Sequence, residues 1–480
     1  MSAALASYNS LPSYDELFEP GGQPRPQAQA MGRFLVQLGE SGLRRRQKAL
    51  ERDSRTFGLH VHSASGRAES ERKWPMDVIP RVISMSEWTR IARGLEQRLL
   101  ALNLFIDDLY HQQMVVRDRV FPDEVLQSCK YFLKPCIGQN PRFGVWAHIA
   151  GTDLVRDAAG RVYVLEDNLR IPSGVSYMLE NRSLTKRALP ELFDSHHIQP
   201  VDGYVARLLD LLLSLTPRAV LDPTIVVLTP GVYNAAYFEH CHLAQHMGVE
   251  LVEGQDLVVD SDDCVYMKTI GGLERVHVIY RRVLDEFLDP DVTNPDSVLG
   301  CRGLFRAWRA GNVALVNAPG AGVADDKLVY SYVPSLIRYY LDQDPILEQV
   351  ETYRLFDPRQ RKKVLSNLRS YVIKPVNESG GYGVVMGDRA SEAELSACSR
   401  QISADPRNYI AQPIIQLSTG PTLCASGIEP RHLDLRPFVL SGESRYVTPG
   451  GLTRVALTKG SLVVNSSQGG GSKDTWIMDA

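Results

Sequence analysis

Apolar residues recur at three- and four-residue steps from Trp88 through Ile91, Leu95, Leu99, Leu102 and Phe105 to Leu109, the spacing of one helical face. Ser84-Met85-Ser86-Glu87 stands just before them with capping-box spacing, so a core-facing helix is expected to open there. The period then changes. Leu154-Val155 and Val162-Tyr163-Val164-Leu165 are short β-prone runs on either side of Asp157-Ala158-Ala159-Gly160, which is turn chemistry, and together they predict a hairpin. Two-residue alternation sets Glu166 and Asn168 on one face of the second strand, and Asp153 at the start of the first strand reaches the same end.

Downstream, residues 201–215 read as a Leu-rich helix. From Pro223 the pattern alternates: the buried-strand run Ile225-Val-Val-Leu-Thr229, a helix to about Met247, strands near 249–252 and 276–280, a helix near 304–309, and a last strand over 313–317. Strands alternating with helices predict a small parallel α/β domain whose ligand edge is the carboxyl end of the strands. A third region carries Tyr371-Val-Ile-Lys374-Pro, then Asn377-Glu-Ser-Gly380-Gly381-Tyr-Gly383, then Tyr409-Ile-Ala-Gln412-Pro-Ile-Ile415. Residues 434–476 are again strand-like. The first 30 residues, with Glu19-Pro-Gly-Gly-Gln-Pro-Arg-Pro26, read as a poorly ordered arm, and residues 40–55 as a basic helix whose face is expected to be solvated.

Composition narrows the class. The chain has 480 residues, 44% hydrophobic and 23% charged, with a formal net charge of -3, so it offers no electrostatic footprint for nucleic acid or an anionic membrane. Seven scattered cysteines without a C-x-x-C argue for a reducing compartment and against a disulfide framework or zinc site. With no membrane-length apolar run and no signal-peptide pattern, a cytoplasmic protein is expected.

The candidate chemistry gathers around the hairpin. Asp153, Glu166 and Asn168 put two carboxylates and an amide oxygen on rigid strands, a donor set that suits Mg²⁺; the competing reading is an ordinary hairpin with solvated acids. Ser379, Gly380, Gly381 and Gly383 make a loop whose backbone N–H groups close on phosphate oxygens, and Lys374 upstream would neutralise the same phosphates. The loop matches neither the P-loop nor the dinucleotide fingerprint. Asp326-Lys327 offers a second lysine, while Arg436 and Arg454 sit among β-prone residues where an arginine needs an anion or a carboxylate. His240, His242 and His246 share a helix without an H-E-x-x-H, and no G-x-S-x-G elbow is present, so zinc and serine hydrolysis lack support.

The order of these pieces resembles an ATP-grasp enzyme cut and rejoined. A small α/β domain, an Asp-Lys, a lysine strand, a glycine loop, a hinge strand, a D-x-R strand and an R…N-x-x-x-G-G stretch run in the usual order from Pro223 to Lys473. The D…E-x-N hairpin that ordinarily ends the series lies instead near the front. This resembles the circularly permuted type 2 ATP-grasp family, whose members are described as similar to glutathionylspermidine synthetase. The likeness covers residues 75–480 and is strongest in GRVYVLEDNLRIPSGVSYMLENR, LTPGVYNAAYFEH, VIYRRVLDEFLDP, DLRPFVL and LVVNSSQGGGSKDTW.

The resemblance adds little to residues 1–70, read above as a partly disordered arm with a basic helix; it implies an α/β (α+β) fold in which 71–215 are the permuted half with the metal hairpin and 216–330 an inserted α/β domain. Residues 331–430 would be the lid and 431–480 core strands. It implies that Lys327 and Lys374 hold ATP phosphates, that 379–383 cover them, and that Gln412 to Ile415 line the adenine pocket. Gln412 stands where many such hinges carry glutamate, and the ribose-binding acid has no counterpart. Asp153, Glu166 and Asn168 would bind two Mg²⁺, and Arg436, Arg454 and Asn465 would face the transferring phosphoryl group. Arg170 and Ser173 would lie near the acceptor carboxylate, and Tyr233, Asn234 and Glu239 are candidates for specificity, with helix packing and capping as the competing reading. The expected activity is a carboxylate–amine ligase acting through an acyl phosphate on small-molecule or peptide substrates, and homo-oligomerisation is open. The alternatives are an ATP-grasp phosphotransferase and a MgATP-binding subunit that needs a partner.

Overall fold

The computed structural model describes residues 8, 12–56, 60–62, 71–217, 220–377, 382–462, 464 and 470–479. Its centre is a ten-stranded mixed sheet. The sheet draws on both ends of the sequence: the hairpin strands Ile149–Arg156 and Val162–Asn168 lie beside Gly427–Arg436, followed by Leu452–Val455, Gly471–Met478 and Met76–Ser84. Leu435 pairs with Leu154, and Gly471–Met478 runs parallel to Met76–Ser84, so front and rear segments interleave within one sheet.

The predicted helix is Met85–Tyr110, with the Ser84 side chain accepting from the backbone N–H of Glu87. All seven residues of its apolar stripe are buried. Burying such a stripe against the sheet is what stabilises a long helix, more than propensity does.

The inserted α/β unit is a four-stranded parallel sheet, ordered Ala314–Val316, Val278–Arg281, Ile225–Leu228 and Glu250–Val252, with helix Tyr237–Met247 as one of its crossovers. A separate antiparallel sheet joins Tyr353–Arg354, Tyr409–Pro413, Tyr371–Pro375 and Val385–Met386. It has its own small core, in which Leu355, Val364, Ile373, Leu395, Ile402 and Ala411 meet.

Residues 12–30 of the N-terminal arm differ from the expectation of poor order. Among its described residues, Asp15, Glu16, Leu17 and Phe18 are buried. The Glu16 carboxylate accepts from Arg81, Arg156 and the Ser418 hydroxyl, which supplies an anion to two arginines buried behind the sheet. The basic segment belongs to a longer helix, Gln29–Thr56, broken at Gly39, where φ is 65°.

All seven cysteines are free thiols. Among the described residues no helix is long and apolar enough to cross a membrane. Nor do they include a group of three or more His, Cys, Asp or Glu side chains able to hold a metal ion. His240 is buried against the Thr229 hydroxyl, and His242 faces Glu180.

Candidate active site

Register sets the acidic face. Asp153 pairs directly with Glu166 and Gly151 with Asn168, so the three candidate metal ligands project from the same side of the hairpin. An irregularity between Asp153 and Leu154 breaks the alternation just beyond them. Asn168 donates its side-chain N–H to the Gly151 carbonyl at 3.0 Å, which turns its amide oxygen to the ligand side.

Asp153 is engaged from within the protein. Arg436 donates to both of its carboxylate oxygens, at 2.5 and 2.8 Å, and Arg454 reaches Oδ2 at 2.7 Å. Arg454 also donates to Asp434, with its Nε 2.8 Å from Oδ1. Burial pushes the Asp153 carboxyl up, but the two arginines outweigh it and hold the group well below the usual carboxylate range. Asp434, with less cationic cover, is raised by its burial despite Arg454. Arg436 and Arg454 lie on neighbouring strands whose register pairs Asp434 with Arg454, so the cluster is built into the sheet.

The lysine side approaches the same acids. Lys327 opens the short helix Lys327–Tyr330, and its ammonium lies 3.8 Å from Glu166. Lys374 and Gln412 occupy adjacent antiparallel strands, with Lys374 opposite Ile410 and Gln412 opposite Val372, so both side chains share a face. The Lys374 ammonium is lowered to about 8, chiefly by burial and in part by Lys327, against the opposing pull of Glu166 and Asp153. Lys374 is therefore within electrostatic range of both the second lysine and the hairpin acids. Gln412 is buried and donates to the Thr352 hydroxyl at 3.1 Å, with Ile415 partly buried beyond its strand. Gly383 has φ +68°, and a Cβ there would come within 2.8 Å of Pro375, so that point of the loop needs glycine. Ser379, Gly380, Gly381 and Asn465 lie outside the described residues.

Arg170 and Ser173 follow the second hairpin strand. The Arg170 guanidinium donates to Asp325 at 2.7 Å and lies 4.0 Å over the Tyr131 ring. The Ser173 hydroxyl accepts from Arg282 at 2.6 Å, and its carbonyl accepts from Arg436 at 3.2 Å.

Several residues that shape this turn escaped the sequence reading. Asp325 takes the backbone N–H of Leu169 at 2.5 Å and that of Arg170 at 3.2 Å. Asn317 grips the backbone of Ile149 and Leu169. Asp325 stood in view beside Asp326-Lys327, but nothing local distinguished the two acids. Glu239 is buried, pairs with Arg282 and accepts from the N–H groups of Gly174 and Ser176. It thus caps helix Val175–Ala188 rather than facing a ligand. Asn234 caps its own turn through Ala236, and Tyr233 is exposed.

Comparison with known proteins agrees with this architecture. The family described as circularly permuted ATP-grasp type 2 matches residues 80–456. An uncharacterized protein of Synechocystis sp. is 52% identical over 475 residues, covering 99% of this chain and 98% of that protein. A Frankia alni protein provisionally named glutamate–cysteine ligase 2-3 is 43% identical over 466 residues, 97% of this chain but 54% of the Frankia protein. This chain thus spans about half the length of that relative. Among solved structures, a glutathione synthetase-like effector from Globodera pallida, in its apo form, superposes with a TM-score of 0.61 at 12% identity. That match covers 91% of this chain and 97% of the effector, a likeness of fold. The chain belongs to the circularly permuted ATP-grasp type 2 family.

Proposed function

We propose that the protein is an ATP-dependent carboxylate–amine ligase that works through an acyl phosphate. The observation that carries this reading is the approach of Lys327 to Glu166, with Lys374 in the electrostatic field of Lys327 and the hairpin acids and with Arg436 and Arg454 on Asp153. Two lysines and two arginines against acids are suited to a polyphosphate, whose charge grows on its transferring oxygens. Glu166 and Asn168 have the donor chemistry for Mg²⁺, and Asp153 would join them by sharing oxygens already bonded to arginine. Bound there, Mg²⁺ would neutralise phosphate charge and orient the γ-phosphoryl group.

In the proposed reaction a substrate carboxylate oxygen attacks the γ-phosphorus in line, and the bond to the β–γ bridging oxygen breaks to release ADP. An amine then attacks the acyl carbon, the C–O bond to phosphate breaks, and the amine proton leaves with phosphate or to solvent. Lys327 and Lys374 would hold the ATP phosphates, with Gln412 and Ile415 against adenine. Arg436 and Arg454 would steady the transferring group. Arg170 and Ser173, fixed by Asp325 and Arg282, would border the carboxylate substrate. Loop 379–383 would cover the phosphates and Asn465 would join the phosphoryl site. The name of the Frankia relative belongs to a protein of which this chain matches about half, so it does not carry glutamate or cysteine to this chain. An amino acid, peptide or polyamine amine is the acceptor class proposed.

The test is ³¹P NMR of the protein with MgATP and pooled amino acids, small peptides and polyamines, with products read by mass spectrometry. ADP and phosphate formed together with a new amide is the expected result. A stable phosphorylated product would replace the ligase with a phosphotransferase, and AMP with pyrophosphate would overturn the acyl-phosphate route.

A further inference from the structure

The two candidate phosphate lysines belong to different parts of the chain: Lys327 opens a helix beside the core sheet, and Lys374 lies on the separate antiparallel sheet. A closed ring of contacts ties them together. The Lys327 backbone N–H donates to the Val376 carbonyl at 3.2 Å, and the Val376 N–H donates to the Asn408 carbonyl at 3.0 Å. Arg407, next in the chain to Asn408, donates to the Asp326 carboxylate at 2.8 Å, and Asp326 precedes Lys327. The other Asp326 oxygen caps the Lys327–Tyr330 helix by accepting from the Leu328 N–H at 2.8 Å.

Arg407 fills its place with more than charge. Its Nε donates to the Ser128 hydroxyl at 2.8 Å and its Nη2 to the Val125 carbonyl at 3.3 Å, so one planar fork spans the core, the helix cap and the small sheet. Asp326 is fully buried, a location where a carboxylate needs a cationic partner. The hydrogen bonds of Arg407 go to Ser128, Val125 and Asp326 rather than to the hairpin acids, so its action on phosphate runs through the position of Lys327.

We propose that Arg407 is a positioning residue that, through Asp326, sets the spacing between Lys327 and Lys374 and thereby the grip on the terminal phosphates of ATP. The proposal rests on the nucleotide-site reading above. Without the fork, one backbone hydrogen bond, from the Lys327 N–H to the Val376 carbonyl, remains among the described residues between the Lys327 helix and the end of the Lys374 strand. The lysines then lose a fixed separation, while the Gln412 strand, held within its own sheet, keeps its place.

The experiment measures binding of MgATP to the full chain by isothermal titration, and of adenosine by competition against MgATP, for wild type, R407M, R407K and K374M, with thermal midpoints alongside. R407M is expected to weaken MgATP about tenfold and to leave adenosine within about twofold, because only the phosphate contacts depend on lysine spacing. R407K keeps a cation on Asp326 but cannot reproduce the fork; its expected loss lies between wild type and R407M, and it supplies the comparison should R407M fold poorly. Unchanged MgATP affinity in both variants would overturn the proposal. So would an equal loss for adenosine and MgATP, which would mark a displacement of the whole small sheet. K374M separates the two levels of inference: wild-type MgATP affinity in that variant would overturn the nucleotide-site reading itself.

Discussion

The arginine side and the lysine side of the hairpin are built differently. On the first, Arg436, Asp153, Arg454 and Asp434 make an interlocked, largely buried array in which the arginines reach Asp153 at 2.5–2.8 Å, the separations of strong charge-assisted hydrogen bonds. On the second, Lys327 stands 3.8 Å from Glu166, and Lys374 is desolvated enough to drop to about 8. The arginines are satisfied within the protein and preorganised. In the lysine region burial and the neighbouring Lys327 disfavour the charged form of Lys374, and an anion placed beside it would relieve that cost. The same cations therefore divide between holding the sheet and holding a ligand.

The largest way to break this contrast is to remove Arg454. Arg454→Met leaves two buried carboxylates short of a partner, and a loss of about 3–5 kcal/mol in unfolding free energy is expected from denaturant titration. Lys374→Met should do the reverse: stability held or slightly raised, with kcat/KM for ATP down about 10²–10³-fold in steady-state kinetics. Equal destabilisation by both variants would erase the distinction.

Proton linkage sharpens it. Because the folded Lys374 pKa, about 8, lies below the ordinary lysine value of 10.5, the folded chain gives up this proton first as pH rises. Between those two values the unfolded chain binds more proton, so this group's contribution to stability rises with pH while its hold on phosphate falls. MgATP affinity of the wild type should therefore decline above pH ~8, the value at which Lys374 discharges, and Lys374→Arg should flatten that limb. The smallest effect expected is for Asn168→Ala, which removes one neutral oxygen donor. Its activity should be restored by raising Mg²⁺ about tenfold, with the thermal midpoint nearly unchanged.

What could be read beforehand was local. The hairpin acids follow from two-residue alternation and a four-residue turn, and the Met85–Tyr110 helix follows from its stripe and its cap. The permuted order of the segments was also visible, because each carries its signature within a few neighbouring residues. The pairing of charges was not. Glu16 meets Arg156 across 140 positions and Ser418 across 402, so the docked arm looked from its Pro- and Gly-rich flank like a loose one. Asp325 and Asp326 are adjacent, yet one orders the Arg170 turn and the other anchors Arg407. Glu239 could be read as a specificity residue or a cap, and only its partners from another part of the chain show that it caps a helix. Side chains that answer each other across the fold leave no periodic trace.

The pairing of Met76–Ser84 with Gly471–Met478 also bears on how the molecule is made. Asp77, buried in the finished sheet, meets the ammonium of Lys473, 396 positions later. On the ribosome the first of these two strands is therefore complete long before its neighbour is synthesised, and until then that backbone edge stays open. Stalled nascent chains ending before residue 471 should stay open to proteolysis at that edge and need chaperone cover. The permutation thus sets the two strands of one pair far apart in the order of synthesis.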